Sequence, residues 1–312
     1  MSTSVPLGMF RNPVVAANMP DPSLLRVGDI FYLYTTQSDQ ANVQTATSTN
    51  LVNWKPGRDA LPAVGRWATT GKTWAPEVIA VGGQYVMFYT ATDSASSKQC
   101  IGRAASTSPD GPFVDLNAAA LVCQDALGGS IDPNPVAQGG HLYLYWKNDG
   151  NCCGSTVHLW GQQLDSTASV LTGQPSALLS NTKPWQGNLV EAPEMIAHGG
   201  HFYIFYAAND YASTKYAEGY AVCRHPLGPC TDSSAPILTS NTAGAGPGHG
   251  FIFQLGNCSW IIYHAWSPDA IGSALPGRQL WLDPITWSPT GPAIAGPNAN
   301  TQASPKIQPS EG

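Results

Sequence analysis

Three acidic side chains carry the first chemical signal in this sequence: Asp21, Asp132 and Glu191. Each stands beside or near a proline at the head of an apolar run, in Asp21-Pro22-Ser23-Leu24-Leu25, Ile131-Asp132-Pro133 and Glu191-Ala192-Pro193. A carboxylate heading a segment bound for the interior is costly to desolvate unless it is hydrogen-bonded or used. Asp before Pro is also a common turn opener, so Asp21 or Asp132 alone reads as turn chemistry. Carboxylates at corresponding points of a repeating chain are another matter, because together they offer one group to give a proton and one to take it. Two further corresponding points hold Trp74, in Trp74-Ala75-Pro76-Glu77, and His249, in Gly246-Pro247-Gly248-His249. Glu77 and Glu194 follow the proline at matching places in two copies, which marks them as architectural or supporting. Glu191 has no acidic counterpart at its own register and is assigned to chemistry.

What must position these residues is a repeat. One pattern occurs five times: an apolar run, a Gly-centred turn, then an aromatic run. Its turns are Gly28-Asp29, Gly82-Gly83, Gly139-Gly140, Gly199-Gly200 and Gly256-Asn257. With Tyr32, Tyr85, Tyr143, Tyr203 and Trp260 as markers, the steps are 53, 58, 60 and 57 residues. Each copy opens as a β-hairpin, and most continue into a third strand such as Val43–Thr47 or Cys100–Ala104. Asn53-Trp54 and Pro112-Phe113 mark turns into a fourth. This period with three or four strands per unit fits propeller blades stacked around a channel, with few free edges. The sequence predicts an all-β fold, a five-bladed β-propeller forming a single domain over residues 1–297. The units run from about Asp21 to about Pro292, and the residues before them are expected to close the ring against the last blade. Residues 298–312, polar and Pro-rich, read as a flexible tail or the stump of a linker. The first strand of each propeller blade lines the channel, so the five heads converge on one face.

Composition agrees. Charged residues make up 11% of the 312, against a usual ~25%. The 32 Gly and 26 Pro imply frequent turns and few helices, and 10% aromatic residues exclude a disordered chain. A net charge of -6 with scattered basic residues leaves no footprint for nucleic acid. No apolar stretch is long enough for a membrane helix, and Met1–Val5 lacks the basic and apolar regions of an export signal.

Seven cysteines occur without a Cys-x-x-Cys pattern, which favours disulfides over zinc or redox chemistry. Cys223 with Cys230 would close a small loop and Cys100 with Cys123 would staple neighbouring strands. The adjacent Cys152 and Cys153 either bond to each other or take separate partners, and an odd number leaves one thiol over. The competing interpretation is a reduced cytosolic protein. Asn257-Cys258-Ser259 is the only glycosylation sequon. A secreted protein, with its leader removed or replaced, is the expectation.

The five heads and hairpins together resemble glycoside hydrolase family 43, and the likeness covers nearly the whole chain. The resemblance implies an inverting glycoside hydrolase in which Asp21 is the general base, Glu191 the general acid and Asp132 the carboxylate that holds and tunes that acid. It implies that His249 helps bind a water-coordinated calcium or other ion in the channel, with no cofactor required for the chemistry. It also implies that Arg278, in Gly277-Arg278-Gln279-Leu280, reaches the substrate. Inversion needs a base and an acid on opposite faces of a sugar, roughly 6.5–9.5 Å apart, and repulsion from Asp132 is expected to keep Glu191 protonated.

Trp74 would stack on a sugar or floor the pocket, or else plug the core. Trp185, Trp266 and Trp281 carry the same ambiguity. His198 and His201 flank a hairpin turn and read as turn residues, and His264 as a satisfied core histidine. No dinucleotide loop or nucleophilic serine elbow is present. The expected substrate is an oligosaccharide or polysaccharide, most simply arabinan or arabinoxylan side chains, acted on by an arabinofuranosidase or arabinanase working as a monomer. The resemblance gives β-xylosidases an extra C-terminal β-sandwich, for which the fewer than ~25 residues after the last unit leave no room. Xylosidase and galactan-type activity, and a carbohydrate-binding propeller without catalysis, are the alternatives.

Overall fold

A computed structural model describes residues 6–309. The reading of Met1–Val5 lies outside the described residues. Five consecutive antiparallel sheets follow one another along the chain and pack as the five blades of a β-propeller. Their first two strands are Ser23–Val27 and Ile30–Thr35, Ala68–Val81 and Gln84–Asp93, Ser130–Gln138 and His141–Asn148, Val190–His198 and His201–Ala208, and Ala245–Leu255 and Cys258–Trp266. All five hairpins close by two-residue turns, with Val27 opposite Ile30, Val81 opposite Gln84, Gln138 opposite His141, His198 opposite His201 and Leu255 opposite Cys258. The first turn residue is always glycine, with φ between 55° and 59°, a region a side chain would resist.

Four blades have four strands, and blade two has three. The turn at Asn53-Trp54 does lead into a fourth strand, Lys55–Pro56, whereas after Pro112-Phe113 the chain makes only an isolated bridge from Val114 to Ala105. The core is not a central mass. It is divided into five wedges, each between neighbouring blades, exemplified by Tyr34 with Met87, Phe88 with Trp146, Tyr145 with Ile204, Phe205 with Ile261, and Ile262 with Leu33. The aromatic runs seen in the sequence fill these wedges because alternate side chains of a strand face opposite sides of the sheet.

The N-terminal segment closes the ring against blade five. Val14 N–H donates to Leu280 O at 2.9 Å, Leu280 N–H to Val15 O at 3.0 Å, and Asn12 Nδ2 to Leu282 O at 2.8 Å. The tail corrects an expectation. Through residue 309 it is anchored rather than free: Gln302–Ala303 pairs with Met9–Phe10, Gln302 Nε2 donates to Asp283 Oδ1 at 3.0 Å, and Ile307 packs beside Phe10. Its polar composition signalled disorder, but those polar groups serve a fully buried Asp283 on the third strand of blade five.

Cys100–Cys123, Cys152–Cys153 and Cys223–Cys230 are bonded, and Cys258 is free and exposed. No helix is long and apolar enough to cross a membrane among the described residues.

Candidate active site

The heads of the first strands share a backbone feature that the sequence did not reveal. Asp21, Ala75, Asp132, Ala192 and His249, one from each blade, have φ of 54°, 43°, 56°, 52° and 52°. A non-glycine residue in this left-handed region costs free energy and persists only where its surroundings hold it. Four are held by a side chain of a neighbouring blade. Asp21 N–H donates to His264 Nδ1 at 3.2 Å, Ala75 N–H to Thr36 Oγ1 at 2.8 Å, Asp132 N–H to Thr90 Oγ1 at 3.2 Å and Ala192 N–H to Asp132 Oδ2 at 3.0 Å. The true equivalents of Asp21 are therefore Ala75 and Ala192, and Trp74 and Glu191 each stand one residue earlier. That offset turns Glu191 to a different set of partners from those of the two aspartates.

Every residue singled out for the site opens onto one cavity of about 510 Å³: Asp21, Trp74, Asp132, Glu191, His249 and Arg278. Trp74 is half-buried there and belongs to none of the core wedges, so it is no core plug. Asp21 is clamped. Arg278 Nη1 donates to Oδ1 at 2.7 Å, His249 Nδ1 stands 3.3 Å from the same oxygen, and Thr36 Oγ1 donates to Oδ2 at 2.6 Å. Burial works against the charge, but the Arg278 guanidinium, followed by His249, overcomes it and holds the carboxyl well below the usual range. Arg278 in turn lies over the Tyr211 ring, 4.8 Å from its centroid.

Asp132 goes the other way. Burial first, reinforced by the Glu191 carboxylate and opposed by His249, pushes it up to about 6. Glu191 has partners that sequence reasoning missed. Lys147 Nζ donates to Oε2 at 3.0 Å, and the Tyr216 hydroxyl donates to Oε1 at 2.8 Å. Lys147 is buried, at 1% exposed, and also lies 3.8 Å from Asp149. Burial disfavours its charge, yet the Glu191, Asp132 and Asp149 carboxylates outweigh that and raise its pKa. A lysine ending the aromatic run Leu142–Trp146, in so uncharged a chain, was the signal that could have found it.

His264 is buried, but not as a satisfied core residue. Its Nδ1 accepts the Asp21 N–H, so the proton sits on Nε2, which has no partner. Burial, then Arg278, keeps the ring neutral, with its pKa well below the usual value. Its 3.4 Å approach to the Asp21 carboxylate is thus a contact and not an ion pair. Glu77 and Glu194 both accept from Asn134 Nδ2, at 3.0 and 2.7 Å, below the carboxylate set. His198 and His201 sit at their hairpin, and His198 stacks on Trp287 at 3.7 Å. Trp281 is core, Trp185 stacks on Tyr206, and Trp266 Nε1 donates to Tyr211 O.

His249 faces the cavity where the expected water-coordinated ion would lie. Among the described residues no group of three or more His, Cys, Asp or Glu side chains converges as a metal requires. His249 offers nitrogen, whereas calcium takes about six to eight oxygens. An ion there would be held chiefly through water, with His249 as a side-chain partner, and no step below is routed through it.

The comparisons follow the same lines. A model of the family described as glycosyl hydrolases family 43 matches residues 10–292. A probable arabinan endo-1,5-alpha-L-arabinosidase A of Aspergillus flavus is 24% identical, covering 89% of this chain and 91% of that protein. A non-reducing end alpha-L-arabinofuranosidase of Bacteroides ovatus is 27% identical over 90% of this chain and 52% of its own length. The crystal structure of a thermostable family-43 glycoside hydrolase superposes with a TM-score of 0.86 at 29% identity, covering 96% of this chain and 100% of that one. The match extends over almost the entire propeller and includes all five strand heads, and the chain accordingly belongs to glycosyl hydrolase family 43 and is a glycoside hydrolase.

Proposed function

We propose that this protein is an inverting hydrolase of α-L-arabinofuranosyl linkages in arabinan or arabinoxylan. In this reading Asp21 is the general base, Glu191 the general acid and Asp132 the residue that positions the acid. The observation that carries it is the division of labour within one cavity: Asp21 is held ionised by Arg278, while Glu191 is held by a different set of partners. Asp21 takes a proton from water attacking one face of the sugar, and Glu191 gives a proton to the leaving oxygen on the other. Glu191 takes up that proton from solvent before the step and, on giving it up, returns to the carboxylate form, which accepts from the Lys147 ammonium and the Tyr216 hydroxyl. Asp132, by accepting the Ala192 N–H, fixes the strained turn next to Glu191. Trp74 and Tyr211 offer apolar faces to the sugar.

The arabinan preference rests on the relatives, two of which are named for arabinan and arabinofuranoside cleavage, although a xylan 1,3-beta-xylosidase of Vibrio is 22% identical. Three disulfides, together with a relative named as an extracellular arabinanase, favour an exported protein. The test is a panel of nitrophenyl furanosides and pyranosides with linear and branched arabinan, the first product being read by NMR for its anomeric configuration. Arabinofuranosides are expected to be cleaved with inversion. Retention of configuration would overturn the mechanism, and cleavage of xylosides alone would overturn the substrate. Arabinose alone would indicate exo action, and a ladder of oligomers endo action.

A further inference from the structure

The three disulfides are not alike. Cys100–Cys123 and Cys223–Cys230 join residues 23 and 7 positions apart, but Cys152–Cys153 joins neighbours. The stabilisation a disulfide gives the fold grows with the length of chain it closes. A bond between adjacent residues ties no two segments together, so the surface it presents is the more telling property. Cys152 and Cys153 are exposed, and Cys152 lines the cavity that holds Asp21, Asp132 and Glu191.

The loop that carries them leads straight out of the acid's support. From Lys147, bonded to Glu191, the chain passes Asp149, which also faces the cavity, and reaches the sulfurs within a short helical turn, Gly150–Cys153. Its base is held firmly. Fully buried Asn148 donates to Leu127 O at 3.1 Å and to Thr156 O at 3.0 Å, and accepts the His158 N–H at 2.7 Å. Cys152 N–H donates to Asp149 O at 3.2 Å, and Lys98 Nζ stands 3.3 Å from Cys153 Sγ. Two bonded sulfurs have no hydrogen to donate and are polarisable and apolar. On a wall that also holds Lys147, Asp149 and Asn151, Cys152 presents the bonded pair to the cavity as an apolar step, with Cys153 behind it.

We infer that the Cys152–Cys153 disulfide is a substrate-binding platform on the Glu191 side of the cavity, taking the C–H face of a sugar unit while neighbouring polar groups take its hydroxyls. The inference rests on the hydrolase reading above and adds a binding element to it. Its test is the Cys152→Ala/Cys153→Ala double variant, assayed on arabino-oligosaccharides and a nitrophenyl arabinofuranoside. Loss of a modest apolar contact is expected to raise KM about fivefold, with kcat little changed and Tm unchanged. An unchanged KM overturns the platform, as does a large fall in Tm with KM preserved, which would make the bond a structural staple. Should the variant fail to fold, wild-type protein is mildly reduced and alkylated, with the modified cysteines mapped by peptide mass. With the free, exposed Cys258 blocked before reduction, new labelling confined to Cys152 and Cys153 must then raise KM in the same way, and an unchanged KM again overturns the idea. If wild-type protein turns over no glycoside, the hydrolase reading fails by itself. Calorimetric binding of arabino-oligosaccharides to wild type and variant then decides the platform, with equal affinities counting against it.

Discussion

Asp21 and Asp132 are the same residue at the same place in two blades, yet their surroundings push their ionisation in opposite directions. Both precede proline, both have φ near 55°, both are buried, and the N–H of each donates to a side chain from a neighbouring blade. Asp21 meets Arg278 and stays ionised far into acid. Asp132 has no such partner among the described residues, and burial, with the Glu191 carboxylate adding to it, pushes it up to about 6. The repeat therefore supplies position, and the side chains that do not repeat supply chemistry.

The largest effect should come from breaking the ionised side of that pair. Asp21→Asn is expected to lower kcat by roughly 10³- to 10⁴-fold with unchanged circular dichroism, and near-normal turnover would end its role as base. Glu191→Gln should lose as much on arabinan but far less on aryl arabinofuranosides, whose leaving groups depart without a proton. Asp132→Asn should cost less, about 10²-fold through loss of alignment, and should remove any inflection near pH 6 from the pH–rate profile. Equal losses from Asp21→Asn and Asp132→Asn would erase the distinction drawn here.

Arg278→Met sharpens the comparison directly. Without the guanidinium, burial pushes Asp21 upward, so the acidic limb of kcat/KM should move to higher pH by about one unit or more. A limb that stays in place would show that Arg278 does not hold that charge. The smallest effect lies below the site. Burial raises Glu77 to about 8, with Asn134 opposing and Asp132 adding to it. The folded protein thus binds a proton there that the unfolded chain releases above its ordinary value, and this contribution is full in acid and lost as pH rises toward 8. Glu77→Gln should leave Tm near pH 4 almost unchanged and raise it by a few degrees near pH 8. A uniform fall at both pH values would show instead that the carboxylate is needed for packing.

Much of this was legible beforehand because it repeats. Glycine at the turns and aromatic residues alternating along the second strands report local geometry, and local geometry recurs. The tail was misread because its polar residues satisfy Asp283 and its backbone pairs with Met9–Phe10, partners that composition does not reveal. Lys147 and Tyr216 were missed because neither recurs at its place in the other blades, and nothing near it in the sequence names Glu191 as its partner. His264 looked like a core histidine, and only its bond to the Asp21 N–H ties it to the cavity.

The amino-acid sequence by itself determined the five blades and the cavity face on which Asp21, Asp132 and Glu191 stand, since periodic patterns of turn and apolar residues dictate how each hairpin forms. Only the tertiary structure decided which carboxyl holds its charge far into acid and which loses it more readily. Ionisation depends on burial and on charges a few ångströms away, and the groups that supply them, Arg278 for Asp21 and Glu191 for Asp132, are brought close only when the ring closes.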